Sequence, residues 1–366
     1  MINQFVNKAK EDVVLFLSFL LAVLTSFISF PKIEYIDLKV LISLFNLMIV
    51  VEAFEEYKLL EVISIRILDK FSNERKVSLV LIVITFIFSM FVTNDVALIT
   101  FVPLALIIAK KTNINPAEII IFQTLAANIG SSLTPMGNPQ NLFLYSKFNI
   151  NTLEFFYIML PFVVLGLVFL FILNFKIPNK DIVFHIEEIE IKDTKKTSIF
   201  LGLFILIILS IFNIINYYIA FVITILVTFI LERKLFKEVD FALLLTFVFF
   251  FIFIGNLSNV ESIKIIFDKM LNKPKATYVS AIILSQFISN VPCAILLSGF
   301  TKNYRELLLG VDVGGMGTLI ASLASVISYK FYANEYKKLK KKYLFTFTIY
   351  NFFALLVFAL LFLYLI

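Results

Sequence analysis

The sequence predicts an all-α polytopic membrane protein made of two inverted repeats, each carrying a re-entrant hairpin and a broken helix. Three observations support this. Of the 366 residues, 60% are hydrophobic, where soluble domains hold about 45–50%. The charged residues, 16% of the chain, are bunched between apolar runs long enough to cross a bilayer. The polar and helix-breaking residues inside those runs form two matching sets. Ser289-Asn290-Val291 follows Thr93-Asn94-Asp95 by 196 residues, and Gly314 to Thr318 follows Gly130 to Thr134 by 184. Paired, interrupted hydrophobic segments in the two halves of a membrane protein point to a transporter's binding site.

In chain order, residues 1–12 are polar. The apolar run 13–30 reads as an uncleaved first span, because no small-x-small cleavage site follows it. A second span covers 38–54. Residues 55–75 are amphipathic, with Leu60, Ile63, Ile67 and Phe71 on one helical face, as expected of a helix lying in the membrane interface. The hairpin 77–109 has two apolar legs separated by Thr93-Asn94-Asp95, and basic pairs at both outer ends. Each leg falls short of the ~20 residues a span needs, which predicts a tip buried in the membrane with both ends on one side. A broken span at 117–146 and a span at 155–175 complete the first repeat, 1–175. A charged cytoplasmic linker, 176–197, leads to the second repeat, 198–366. This contains spans at 198–213, 217–231 and 241–256, a second interfacial helix at 260–275 and a hairpin at 276–300. The broken span 306–330, a lysine-rich loop and a last span at 344–366 follow, for nine spans and two hairpins.

Charge provides an independent test. With the N-terminus in the cytoplasm, 23 of the 32 Lys and Arg fall in cytoplasmic segments and 9 outside, as the positive-inside rule requires. The C-terminus is then extracytoplasmic, and the two hairpins enter from opposite faces of the cytoplasmic membrane. The net charge of +6 thus reflects topology and the lipid bilayer rather than a nucleic-acid partner. A single cysteine, Cys293, excludes an internal disulfide. A single histidine, His185, in a polar loop with Glu187 and Glu188, excludes a conventional His/Cys metal site.

Chemistry concentrates at the tips and breaks. In hydrocarbon an unpaired backbone group costs several kcal/mol, so broken helix survives only inside protein or along a wet cavity. Free N–H groups at a helix N-terminus suit an anion, unwound carbonyls suit a cation, and asparagine offers a donor and an acceptor to either. An acidic side chain at bilayer depth marks a functional site by default, which singles out Asp95 and Asp312 as acceptors of a cation or proton. No cofactor is expected beyond Na+ or H+ as coupling ion.

TNDVALITFVPL, ANIGSSLTPMGNPQN, SNVPCAILLSGF and GVDVGGMGTLIASLAS, in this order, resemble the ion transporter superfamily. That group joins divalent anion:sodium symporters, arsenical pump permeases and one family of sodium–proton antiporters; the likeness is to its citrate-transporter-like, anion-permease branch. It implies a homodimer in which a transport domain slides against a scaffold, the elevator mechanism. It also implies that a small anionic substrate meets Thr93, Asn94, Thr134, Gly137, Asn138, Pro139, Ser289, Asn290, Gly317 and Thr318. Cation coupling is implied at Asn94, Asp95, Gly130, Asn290, Asp312 and Gly314. The dicarboxylate symporters carry Ser-Asn-Thr at both tips. Here the asparagine is kept and the third residue is Asp95 or Val291; the acidic Asp95 beside the tip asparagine is closer to the arsenical-pump and antiporter pattern.

The expected function is therefore secondary active transport of a small carboxylate or oxyanion, coupled to a cation. A sodium–proton antiporter or arsenite-type efflux permease is the alternative. A membrane-embedded enzyme would need acidic or histidine clusters at the membrane surface, where this chain has polar groups at mid-depth. A channel would need a continuous polar pore.

Overall fold

The computed structural model describes residues 13–365 apart from 186 and 188. The polar segment 1–12, with the expected cytoplasmic N-terminus, lies outside the described residues, as does Glu188. Almost every apolar run named above is helix, because each backbone donor and acceptor is then paired within its own segment.

The first half comprises α1 (Val13–Ser26), α2 (Leu38–Glu56), α3 (Leu59–Leu68), α4 (Glu74–Val92), α5 (Asn94–Thr112), α6 (Ala117–Ser131), α7 (Pro139–Lys147) and α8 (Thr152–Asn174). The second comprises α9 (Thr194–Ile211), α10 (Tyr217–Leu231), the short α11 (Leu235–Glu238), α12 (Phe241–Leu257), α13 (Glu261–Leu271), α14 (Ala276–Ile288), α15 (Asn290–Ser298), α16 (Tyr304–Gly314), α17 (Leu323–Glu335) and α18 (Lys340–Leu365). Among the described residues α4, α8, α9 and α18 are each long and apolar enough to cross a membrane alone. This is a multi-pass membrane protein. α13 turns by 98° from α12, consistent with a helix lying across the direction of its preceding span.

Two expectations are corrected. The sequence reading makes the first hairpin's legs too short to cross, but α4 and α5 are 19 residues each, about 28 Å at 1.5 Å per residue. The added length is polar: the Asn73 side chain caps α4 ahead of its apolar run, and Lys110 and Lys111 extend α5. The second correction concerns α3. Leu60 is buried as expected, but with Ser64, Ile65 and Leu68, while Ile63 and Ile67 are half-buried. This helix turns its inner face to protein, against α2 and α4.

The helices sort into two groups. In one, α2 packs on α9 and α10, and α1 on α12. In the other, α4 lies along α6, α14 along α16, and α8 and α18 close the outside. Within this second group the halves interleave: α7 packs on α15, while α17 packs on α5 and α6. The two groups meet where α2 touches α7 and α12 touches α15.

Candidate functional site

Each hairpin turns on a single residue, and both turns have the same backbone. Thr93 sits at φ 75°, ψ 154° and Ser289 at φ 70°, ψ 156°. This region is almost reserved for glycine and costs about 1–3 kcal/mol, so the packing around both tips holds two β-substituted residues in strain. The residue after each tip, Asn94 or Asn290, opens the second leg and is buried. Four residues before each tip stands a serine against a glycine of the broken helix. A Cβ on Gly130 would lie 2.3 Å from the Phe86 carbonyl and 2.7 Å from Ser89 Oγ, and one on Gly314 would lie 2.8 Å from Ser285 Oγ. Helix backbones approach closely where side chains are small, and here that approach sets each break beside its tip.

The breaks are equally alike. α6 ends at Ser131, a 3-10 turn Pro135–Gly137 follows, and α7 restarts at Pro139 under the Asn138 cap. α16 ends at Gly314, the turn Leu319–Ala321 follows, and α17 restarts under Ser322. The hydroxyls of Thr134 and Thr318 donate to the carbonyls of Met90 and Gln286, each three residues before its tip. These threonines fasten break to hairpin, so their side-chain protons are already committed.

The two breaks are joined by crossed hydrogen bonds. Asn138 Nδ2 donates to Asp312 Oδ1 at 3.2 Å, and Ser322 Oγ donates to Asn128 Oδ1 at 3.0 Å. Asn138 and Ser322 hold the same place in their breaks, as do Asn128 and Asp312. Gln140 Nε2 adds a second donor to Asp312 Oδ1 at 3.1 Å. Asn94 Nδ2 reaches Asn128 Oδ1 at 3.2 Å, and Ser289 Oγ reaches the Ala321 carbonyl, next to Ser322, at 3.3 Å. Asn290 packs on Gly315. Both tips and both breaks therefore meet in one polar centre.

Several atoms of this centre are buried without a protein partner: Asp95 Oδ1, Asp312 Oδ2, Asn141 Oδ1 and Asn128 Nδ2. An unmatched buried polar atom costs about 1–3 kcal/mol, and those of Asp312, Asn141 and Asn128 lie on the two breaks that the crossed hydrogen bonds join. Three are acceptors and one is a donor; two belong to carboxylates, and neither lysine nor arginine joins the network. Cavities open at opposite ends of α2. One of about 390 Å³ is lined by Glu52, Glu55, Glu61, Glu238 and Thr100, five residues along α5 from Asp95. One of about 450 Å³ is lined by Asp37, Lys147, Phe251, Ile295 and Ser298.

Of the sequence-derived residues, Asn94, Asn138, Asp312 and Ser289 take part in the hydrogen bonds above, Asn290 packs on Gly315, and Asp95 follows Asn94 at the first tip. Gly137 and Pro139 build the first break, and Gly317 the second. Cys293 is a buried packing residue whose Sγ faces the Ala281 carbonyl at 3.5 Å. His185 is exposed, 4.0 Å from Asp69. Sequence reasoning missed Ser322, Gln286 and the Ser89/Ser285 pair. The repeat itself signals the serines, which stand at the same step before each tip.

Crossed breaks around a buried polar centre in a multi-pass helical protein suit a membrane transporter, the class to which the family match assigns this chain. The match to known families is specific: the citrate transporter profile covers residues 5–304, and the chain belongs to this family. It is 38% identical to an uncharacterized transporter of Methanocaldococcus jannaschii over 88% of this chain and 90% of that one. It is 31% identical to an inner membrane protein of Escherichia coli over 81% and 80% of the two chains. A shorter stretch, 23% of this chain and 18% of the other, is 33% identical to a silicon efflux transporter of Oryza sativa.

Proposed function

We propose that the chain moves a small carboxylate or oxyanion across the membrane, coupled to a cation, by sliding the group that holds the polar centre against the group built on α2, α9, α10 and α12. The observation that carries this reading is the crossed pair Asn138–Asp312 and Ser322–Asn128. It ties the two breaks and two hairpins into one unit able to move without opening its own core. Cavities at both ends of α2, each lined by residues of both groups, favour such a movement. The matched tips and breaks support two inverted repeats, 1–175 and 198–366. The relatives support a transporter, and the family resemblance supports a homodimer.

The residues fit a cation near the first tip, where Asp95 Oδ1 lacks a partner. A bound cation there would supply positive charge that the centre otherwise lacks. The N–H groups opening α5 and α15, with Asn128 Nδ2, would receive the substrate's oxygens. Two carboxylates with no basic side chain also favour a second reading: proton-coupled exchange of an uncharged hydroxylated acid, as in an arsenite-type permease, or sodium–proton antiport.

Flux into proteoliposomes separates the readings. Uptake of labelled citrate or succinate driven by an imposed sodium or proton gradient, and lost in Asp95→Asn, is the expected result. Gradient-driven movement of arsenite or silicic acid with no carboxylate flux would install the second reading. Sodium–proton exchange without any added solute would install the antiporter.

A further inference from the structure

The two tips share one backbone conformation, and the side chains just before them differ. Met90 and Gln286 hold the same place, three residues before Thr93 and Ser289, and each carbonyl accepts the break's threonine hydroxyl. Beyond that, they diverge. Gln286 Nε2 donates to the carbonyls of Gly314 at 2.8 Å and Met316 at 3.1 Å, and also to Ile282 of its own helix at 3.1 Å. Gln286 Oε1 accepts the Thr318 backbone N–H at 2.9 Å, and a donor there fixes which end of the amide is oxygen.

Gly317 makes the room: at φ 104° a side chain would be strained, and its Cβ would lie 2.3 Å from Gln286 Oε1. The first break has Leu133 where the second has Gly317, and a methionine with no donor where the second has glutamine. The tips diverge in the same sense, Asp95 in the first and Val291 in the second. Asp312, though it belongs to the second break, gives its Oδ1 to Asn138 and Gln140 of the first.

Unwound carbonyls are what a broken helix offers a cation. The family resemblance implies cation coupling at both tips, Asn290 and Gly314 included, and the second set of residues does not fit it. An amide N–H2 already occupies the carbonyls there, and the residue after the tip asparagine is Val291 rather than a carboxylate. We propose that Gln286 is a built-in replacement for a cation. Its Nε2 neutralises the carbonyl oxygens of the second break, so this half binds no ion and coupling is confined to the first half. This deepens the transport reading, and its test uses no transport.

The test is thermal unfolding of the purified full-length protein in sodium, lithium, potassium or choline chloride at equal ionic strength. Gln286→Ala empties the donor from the carbonyls. The variant should unfold below wild type in choline chloride and recover at least half of that loss in one of the alkali chlorides. Its midpoint should climb with each tenfold rise in that cation, as ligand linkage requires. The gain should persist in Asp95→Asn/Gln286→Ala, which separates it from any ion held at the first tip. If Gln286→Ala does not fold, Met90→Gln/Leu133→Gly carries the test: it supplies the amide and the room for it in the first break and should abolish the wild-type response to alkali cations. Equal loss of stability in all four salts would show that Gln286 is hydrogen-bonding glue alone. Two sodium ions bound per wild-type chain in equilibrium dialysis with 22Na+ would also overturn the proposal.

Discussion

Replacing Thr93 by glycine should make this protein more stable and less active. Thr93 is held at φ 75°, ψ 154° and makes no side-chain capping bond to offset that conformation. The strain is about 1–3 kcal/mol. Glycine removes it, at a cost of about 0.4–1 kcal/mol for the freer unfolded chain and about 0.4 kcal/mol for a half-buried methyl group. The net gain for Thr93→Gly is about 1 kcal/mol. Ser289→Gly starts from the same strain but also loses the 3.3 Å bond to the Ala321 carbonyl, worth about 1 kcal/mol, so its net change lies near zero. Reversible unfolding by sodium dodecyl sulfate in mixed micelles measures both directly. Flux should fall at least tenfold in both variants, since each loses the hydroxyl beside the polar centre. Were Thr93→Gly less stable than wild type by about 1 kcal/mol or more, the tip would be relaxed and the argument from strain wrong.

Gly130→Ala should cost about 1–3 kcal/mol by overpacking, because its Cβ meets the rigid Phe86 carbonyl. Gly314→Ala should cost less, because its nearest contact is the Ser285 hydroxyl; the same micelle titration ranks them. Asp312→Leu strands the Asn138 and Gln140 donors and should lose about 2–4 kcal/mol, while Asp312→Asn keeps an acceptor and most of that stability; equal losses would deny the two bonds. Lys196, 3.1 Å from Glu232, holds the Glu232 carboxyl below its ordinary value. That contribution is complete above the ordinary carboxylate pKa of about 4.3 and fades as pH falls through the lowered value. Wild type should therefore lose more of its melting midpoint than Glu232→Gln between pH 6 and pH 3. Lys70→Cys and Lys264→Cys, on the two amphipathic segments, should react with an impermeant maleimide from opposite faces of oriented vesicles. Labelling from one face would refute the inverted arrangement.

The element order was readable because apolar length and Gly/Pro punctuation are backbone properties, and the backbone has few options in hydrocarbon. The tips and breaks were readable because polar side chains there are costly, so Asn94, Asp95, Asn290 and Asp312 stand out from their surroundings. What stayed hidden depends on which surface an apolar face meets. The stripe on α3 could not say that Leu60, Ser64 and Ile65 face protein, since lipid and protein are equally apolar. Gln286 was hidden for another reason: its meaning comes from Gly314, Met316 and Thr318, which reach it only after the chain has turned back. Ser322 escaped notice because it is small, and its match to Asn138 emerges once the breaks are superposed in register.

The crossed bonds between the breaks also bear on how such a chain arose. Asn138 has one of its two acceptors in the other half, and Ser322 has its acceptor there. A protein of half this length would leave the Ser322 hydroxyl without this acceptor, or the Asn138 amide with Ser131 Oγ alone. Its remedy would be a second copy inserted upside down, which demands a chain with so little charge bias that it enters the membrane either way round. Fusion ends that demand. In two inverted halves so joined, each would be free to collect its own lysines and fix its orientation, and free also to lose its symmetry one residue at a time, which the difference between Met90 and Gln286 would then record.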